Sequence, residues 1–360
     1  MKKDTIIKSW LRLTLLSTGF TAATLSAGYS CTVVSHQFDQ IGEFNARSLD
    51  FCHNLKSDFI VYPRGLDFHS ADKTVNMKIF DWVNKYGYVT IAQSNLHDLS
   101  SEGLNEKGLS VHILYNGDSE EPELDKKTPV ISSFQWIHYA LGNFATVDEV
   151  LKSLKNYQIH TFPIVIGKQS VNLPIHFKIE DRSGDSAVLE FSHNQLKIYH
   201  GKQYNTMTNE PSYDQQIKNL EKYQHSKQYS VNDLPGGADP KNRLVRAYYA
   251  VEHLPKTAAT DAIASSYMYS VINSASVPFF EGYNNCGFGD STRAADTWPT
   301  QWVSVSNLNK PTLSYSGIFT GNRVWIDLSE VDLQKGQPMT RINLDNPDLS
   351  GNLSHKLKGK

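Results

Sequence analysis

Cys31 could combine two reactive groups in one residue if the chain is cleaved directly before it. The α-amine exposed by such a cut has an ordinary pKa of about 7.7–8.0, so near neutral pH it can accept the proton of its own thiol. The resulting thiolate can attack a carbonyl carbon, and a nearby cation makes it more reactive. Residue type and position therefore predict a nucleophile that carries its own base.

The residues before Cys31 have the organisation of a signal peptide. An apolar and small-residue stretch over residues 13–27 follows four basic residues, Lys2, Lys3, Lys8 and Arg12. The stretch is too short and too rich in Ser, Thr and Gly for a membrane span, which needs about 20 mostly apolar residues. The small residues Gly28 and Ser30 fit the third and first positions before a cut. We expect a signal peptide over residues 1–30, export to the periplasm or medium, and no stable membrane insertion afterwards.

A leader that ends at a cysteine also permits a different class of protein, a binding protein anchored by a lipid on Cys31. Gly28 stands where a lipoprotein signal usually has Leu, and the bulky Tyr29 lies between the small residues. The sequence therefore favours an unmodified cysteine.

Composition and motifs exclude several other classes. The formal net charge of the 360 residues is −2, and the basic residues are scattered, so no nucleic-acid partner is expected. Cys31, Cys52 and Cys286 are too few for a disulfide-dense scaffold, although Cys52 and Cys286 could pair and leave Cys31 free. The sequence contains no serine-hydrolase pentapeptide, phosphate-binding loop or metal-ligand motif, so we expect no metal and no cofactor.

Arg47 and Asp50 could supply the cation and the acceptor that such a cysteine needs. If residues 44–51 form a strand, these two side chains point to opposite faces, so a strand end or bend is required for both to approach Cys31. The residues alone leave an ordinary surface pair open.

The elements that must position these residues fall into separate blocks. Helices are predicted after the capping-box spacings that begin at Thr146 and Ser212, after Asp239, and over residues 258–275. Runs rich in Val, Ile, Phe and Tyr predict strands at 32–34, 59–62, 88–92, 109–114, 175–179, 187–191, 302–305, 313–319 and 323–328.

This arrangement favours an α+β fold in which packed antiparallel sheets carry helices outside, a four-layer αββα sandwich. No linker or internal repeat forces a boundary, so residues 31–360 are predicted to form a single domain. Its polar end, from about Arg341, is predicted to be a loose tail.

Several dispersed segments, in this order and with Arg47 sixteen residues after Cys31, resemble the choloylglycine hydrolase family. The segments are Cys31-Thr32, 46–51, 104–109, 208–211, 235–237 and Asn242-Arg243. The family comprises bile salt hydrolases and penicillin V acylases, which are N-terminal-nucleophile hydrolases of linear amides. The resemblance runs to about Leu328. It implies the αββα sandwich and a small-molecule N-acyl amide as substrate.

The resemblance also implies roles for individual residues. Cys31 would be nucleophile and, through its α-amine, base. Arg47 would lie beside the thiolate, and Asp50 would hold the α-amine. Asn209 would donate its side-chain amide to the oxyanion, and Arg243 would complete the polar network.

A second oxyanion donor would be the backbone amide of Tyr115, ten residues after Asn105. At this position bile salt hydrolases carry Asn and many penicillin V acylases carry Tyr. A one-residue shift to Asn116 is the alternative.

Nearby aromatic side chains could floor an acyl pocket, but such a stripe is more often core. They are Phe134, Trp136, Tyr139 and Phe144.

The export leader departs from the bile salt hydrolases, which are typically intracellular. It is similar to acylases of Gram-negative bacteria that act on phenoxyacyl amides or acyl-homoserine lactones. The expected function is therefore an exported acylase of that kind, with bile salt hydrolysis as the alternative. A family member that binds ligand without turnover is a further possibility. Tetramers are frequent among these relatives, so a homotetramer is compatible with the resemblance.

Overall fold

A computed structural model describes residues 30–52, 54–69, 78, 80–96, 98–166, 169–227, 229–279 and 298–357. Residues 1–29 of the predicted leader lie outside the described residues. So does Cys286, and with it the proposed pairing with Cys52. Cys31 is a free cysteine. No helix in these ranges is long and apolar enough to cross a membrane.

Strands account for most of the regular structure. In chain order they are β1 (Ser30–Phe38), β2 (Gly42–Asp50), β3 (Ser57–Tyr62), β4 (Asp67–His69), β5 (Asp81–Val83), β6 (Tyr88–Gln93), β7 (Leu99–Asn105), β8 (Ser110–Tyr115), β9 (Val130–Ser132), β10 (Gln158–His160), β11 (Ile164–Ile166), β12 (Gln169–Val171), β13 (Ile175–Glu180), β14 (Ser186–Ser192), β15 (Gln195–His200), β16 (Thr206–Met207), β17 (Thr300–Asn307), β18 (Thr312–Gly317), β19 (Arg323–Asp327), β20 (Thr340–Asn343) and β21 (Gly351–Asn352).

Two large sheets contain most of these strands. The first sheet has seven strands in the order β16-β1-β2-β17-β18-β19-β21, and the second has eight in the order β15-β14-β13-β8-β7-β6-β3-β20. Each predicted strand run coincides with a strand of these two sheets, although the runs at 109–114, 313–319 and 323–328 extend one or two residues past the strand ends.

Five helices of the described chain are α1 (Ser133–Asn143), α2 (Val147–Ser153), α3 (Tyr213–Gln224), α4 (Pro240–Glu252) and α5 (Asp261–Ser274). Helix α2 begins as its capping box predicts, because Thr146 Oγ1 accepts from Glu149 N at 3.2 Å. Helix α3 also begins at the predicted place, but the Ser212 side chain does not cap it. Ser212 Oγ instead donates to Asp214, at 2.7 Å.

Three apolar clusters separate four layers. Helices α4 and α5 cover the first sheet through a cluster that includes Phe44 and Met268. The two sheets face each other across a cluster that includes Val33. Helices α1 and α2 cover the second sheet around Trp136 and Phe177. The predicted α+β fold with an αββα sandwich is confirmed.

A tight hairpin between β1 and β2 sets the register near Cys31. Gly42 starts β2 with φ +114°, and a Cβ there would lie 2.2 Å from Asn309 Oδ1. Antiparallel pairing places Cys31 opposite Leu49. Arg47 shares a face with Leu49 because side chains two residues apart on a strand point the same way. The hairpin therefore places Cys31 and Arg47 on one face, toward the second sheet.

The prediction of a loose C-terminal tail is wrong for residues 341–357. Strand β20 pairs with β3, and β21 pairs with β19. Leu344, Leu349 and Leu353 are buried, and they join the cluster between the sheets. A few leucines at irregular spacing thus anchor a stretch that looks polar on average.

A polar row crosses this interior beside the apolar cluster. Glu43 and Asn45 precede Arg47 on the same face of β2, and all three are buried. Asn45 Nδ2 donates to Glu180 Oε2 at 2.8 Å, and Glu180 forms an ion pair with Lys178. Burial, reinforced by Glu180, raises the pKa of Glu43 to about 8 from 4.5, against the opposing effect of Lys178.

The raised pKa of Glu43 predicts a pH-dependent stability. The folded chain keeps a proton on Glu43 that the unfolded chain releases above about pH 4.5. The stabilisation of the folded chain by this proton is complete below about pH 4.5, and it is lost as the pH rises through about 8. Between these limits the free energy of unfolding should fall by up to about 5 kcal/mol from this group. Denaturant titrations of the wild type and Glu43→Gln across the range measure the difference.

In Glu43→Gln this part of the fall should be absent. The exposed Glu123→Gln serves as control and should follow the wild type. An unchanged pH slope in Glu43→Gln would contradict the assignment.

Candidate active site

Cys31 is one of the residues that line a pocket formed by both sheets. Cys31 is the second residue of β1 and is 5% exposed. The pocket wall is predominantly apolar, and its apolar side chains come from strands and loops of both sheets and from α1. They are Leu49, Phe51, Leu55, Leu96, Leu99, Ile113, Tyr115, Phe134, Leu173 and Ile175.

Arg47 is fixed beside the sulfur by backbone carbonyls of the second sheet. Its Nη1 donates to Ser101 O at 2.6 Å, and its Nη2 donates to Ile113 O at 2.8 Å. Nη2 lies 3.9 Å from Cys31 Sγ. The guanidinium carbon lies 5.3 Å from the ring centre of Trp302. These contacts hold the cation beside the thiol.

The ionisation of Cys31 reflects opposing effects of burial and charge. Burial raises the pKa of the thiol, and Arg47 opposes it by stabilising the thiolate. The charge of Asp50 raises the pKa further. The net direction is upward, so this thiol needs a base to remove its proton near neutral pH.

Asp50 is the last residue of β2, which supplies the strand end that the sequence required. It pairs with Thr300 next to an irregularity in β17, and its Oδ1 accepts from Thr300 Oγ1 at 2.6 Å. Oδ2 lies 3.9 Å from Arg243 Nη1. Burial raises the pKa of Asp50 to about 7, although Arg243 and Thr300 both oppose the rise. Arg47 and Asp50 both line the pocket with Cys31.

Asn209 and Arg243 surround the backbone of Cys31. The Cys31 N–H donates to Asn209 Oδ1 at 2.5 Å, and Arg243 Nη2 donates to the same oxygen at 3.0 Å. Arg243 Nη1 donates to Cys31 O and to Thr32 Oγ1, each at 2.7 Å. Two donors converge on one atom, so the carbonyl oxygen of Asn209 faces the Cys31 nitrogen.

The amide nitrogen of Asn209 faces Tyr115. Asn209 Nδ2 donates to Tyr115 O at 2.8 Å. This contact uses one of the two hydrogens of the amide, so the implied oxyanion role requires the other.

The backbone direction of β8 favours Tyr115 over Asn116 as the second donor. Asn116 N–H donates to Pro174 O at 3.0 Å, toward the strand that neighbours β8. Peptide groups of successive strand residues point to opposite sides. The N–H of Tyr115 therefore points to the side where its carbonyl meets Asn209.

The aromatic residues predicted to be core divide into two groups. Trp136 is fully buried under the second sheet, and Tyr139 and Phe144 pack against the same cluster. Phe134 packs against this cluster and also lines the pocket, so for this residue the core prediction was incomplete. It is the second residue of α1, two residues before Trp136, and the stripe pattern does not separate the two positions.

The residues that hold Arg47 and Asp50 could not be recognised from the sequence alone. Ser101 and Ile113 act through backbone carbonyls, which leave no signature in residue type. Thr300 is 250 residues from Asp50. In the described part of the chain, no group of three or more His, Cys, Asp or Glu side chains could hold a metal ion.

The position of Arg47 predicts a shift in the titration of the thiol. In Arg47→Met the pKa of Cys31 should rise further, because the cation that stabilises the thiolate is lost. Arg47→Lys should keep most of the effect. The ultraviolet absorbance of the thiolate against pH measures it, with Cys31→Ser as the blank. A thiol that titrates identically in Arg47→Met and the wild type would contradict this account.

Comparisons with known proteins agree with this geometry. The sequence model described as "Linear amide C-N hydrolases, choloylglycine hydrolase family" matches residues 31–294. The chain is 28% identical to penicillin V acylase from Pectobacterium atrosepticum over 316 residues. This alignment covers 83% of this chain and 81% of that protein. It is also 24% identical to a bile salt hydrolase/transferase from Clostridium perfringens over 323 residues. That alignment covers 82% of this chain and 91% of that protein.

Solved structures show the same architecture. Penicillin V acylase from Agrobacterium tumefaciens superposes with a TM-score of 0.75 at 26% identity, covering 91% of this chain and 96% of that one. A conjugated bile acid hydrolase variant from C. perfringens has the same fold, with a TM-score of 0.70 at 20% identity and coverage of 89% and 98%. The chain belongs to the choloylglycine hydrolase family of linear amide C–N hydrolases.

Proposed function

We propose that this hydrolase is exported, begins at Cys31 after removal of residues 1–30, and cleaves an apolar acyl group from an amine. The observation that carries the proposal is the position of Cys31 Sγ, 3.9 Å from the guanidinium of Arg47 in the wall of a mostly apolar pocket. A carbonyl placed there would meet a sulfur whose anionic form is stabilised.

In the first half of the reaction the sulfur of Cys31 attacks the carbonyl carbon of the amide. The thiol proton passes to the α-amine of the same residue, whose ordinary pKa of about 8 suits transfer near neutral pH. The tetrahedral intermediate collapses as its carbon–nitrogen bond breaks. The α-ammonium gives its proton to the leaving amine, and the acyl group remains on Cys31 as a thioester.

The second half returns the enzyme to its starting state. Water attacks the thioester carbonyl and gives a proton to the α-amine. The carbon–sulfur bond breaks, the carboxylic acid leaves, and the proton returns to sulfur. No other reactant is needed.

Four residues around Cys31 are placed to support these steps. Asn209 Oδ1 already accepts from the nitrogen that would become the α-amine, and Asp50 lies in the same pocket wall. The second hydrogen of Asn209 Nδ2 and the N–H of Tyr115 would stabilise the oxyanion. Arg243 would hold Asn209 and the Cys31 carbonyl in place.

The pocket lining supports an acyl group that is apolar over most of its length. Ten apolar or aromatic side chains line it, whereas Gln93 and Ser101 are the polar lining residues outside the cysteine site. We therefore propose phenoxyacyl amides, as in penicillin V, or acyl-homoserine lactones as substrates. Bile salts are the alternative, because a bile salt hydrolase/transferase is among the relatives.

The proposal predicts which changes abolish hydrolysis. The purified mature protein should cleave penicillin V or an acyl-homoserine lactone faster than glycine- or taurine-conjugated bile acids. Cys31→Ala should abolish cleavage and still bind the substrate, because the pocket remains. Amine release and equilibrium binding measure the two properties. Full turnover by Cys31→Ala would refute the nucleophile, and cleavage of none of these amides would refute the proposed substrates.

The mass of the exported protein separates this proposal from a lipid-anchored binding protein. A chain that begins with an unmodified Cys31 supports the hydrolase. A diacylglyceryl group on Cys31 would contradict it.

A further inference from the structure

Glu190 is a fully buried carboxylate with no part in the reaction described above. It lies on β14, which is next to β13 in the second sheet. Its oxygens accept from Tyr213 N at 3.0 and 3.1 Å and from Asn116 Nδ2 at 3.0 Å. His176 Nδ1 lies 3.3 Å from its Oε2.

The two segments that Glu190 joins each carry one proposed oxyanion donor. Asn116 directly follows Tyr115, at the end of β8. Tyr213 is the first residue of α3, four residues after Asn209. The segments are more than ninety residues apart in the chain. One carboxylate therefore accepts hydrogen bonds from both segments, one residue after Tyr115 and four residues after Asn209.

Other contacts fix the rest of the Asn209 segment against α3. Gln216 Nε2 donates to Asn209 O and to Thr208 Oγ1, each at 3.0 Å. Gln216 lies in the first turn of α3, so a shift of this helix end would move Asn209. The missing cap of Ser212 explains why Glu190 matters here, because its carboxylate accepts the first N–H of the helix.

Burial of a carboxylate is costly unless donors satisfy it. Glu190 receives bonds from both segments, so neither segment can move away without leaving a buried acceptor unsatisfied. The bond from Asn209 Nδ2 to Tyr115 O crosses the same gap, and its length depends on how far apart the segments are held.

We propose that Glu190 is a positioning residue that sets the spacing between the Asn209 side chain and the Tyr115 backbone. This inference rests on the proposed function, because it assigns those two groups to the oxyanion. Glu190 touches neither the substrate nor Cys31, and it acts through Asn116 and Tyr213.

Glu190→Gln tests the inference in the mature enzyme. Gln keeps one acceptor but puts a donor where the carboxylate received a second bond. We expect kcat to fall about 10- to 100-fold, because misplacing a catalytic group by about 1 Å has effects of this size. KM should stay within about threefold, because the apolar pocket is unchanged.

A double-mutant cycle separates positioning from general damage. If Glu190 acts through Asn209, Glu190→Gln should lower kcat less than about threefold once Asn209→Ala is present. Glu180→Gln is the matched control, a buried carboxylate of the same sheet bound to Lys178. Its effect on kcat should be the same in both backgrounds. Asn116→Ala removes one arm of the contact and provides a milder variant if Glu190→Gln does not fold.

An unchanged kcat in folded Glu190→Gln, or equal losses in both backgrounds, would overturn the positioning role. For Asn116→Ala, unchanged kcat or equal losses in both backgrounds would overturn it too. Failure of the proposed function looks different, because the wild type would then cleave none of the proposed amides. If only the oxyanion role of Asn209 failed, Asn209→Ala alone would leave kcat at the wild-type value.

Discussion

The site depends on one contact, the guanidinium of Arg47 beside the sulfur of Cys31 between two packed sheets. Burial alone would make this thiol a poor nucleophile, because it raises the pKa. Arg47 opposes that effect, and two carbonyls of the second sheet hold its guanidinium beside the sulfur. Cys31 thus comes from the first sheet, and the second sheet fixes the cation beside its thiol. Any movement of one sheet relative to the other would change the distance between the sulfur and the guanidinium.

Buried acidic side chains recur in this interior, and Asp50 and Glu190 each hold neighbouring parts of the chain in place. Asp50 is held by Thr300, Glu43 faces Glu180, and Glu190 joins two segments. Burying a charge costs free energy that its partners only partly return. Such groups fix where neighbouring donors point, and a reaction with a developing oxyanion requires this.

The sequence predicted the layers and the chemically distinctive residues, because these leave local signatures. Capping spacings marked where α2 and α3 begin, and the segments around Cys31, Arg47 and Asn209 carried the family resemblance. The supporting contacts were not predictable in this way. Ser101 and Ile113 contribute only carbonyls, and Glu190 resembles any strand glutamate. The tail beyond Arg341 was mispredicted because its average polarity hides a few buried leucines.

The central claim is that thiol and α-amine of Cys31 act together, and trapping the acyl-enzyme tests it most directly. A chain that begins at Cys31 and a chain that retains Ser30 are each mixed with a slow amide substrate, quenched in acid and mapped by mass spectrometry. The account predicts an acyl thioester on Cys31 in the first chain and no acyl group or turnover in the second. Equal acylation and turnover in the chain that retains Ser30 would contradict it, because its Cys31 nitrogen is a peptide amide that cannot serve as base.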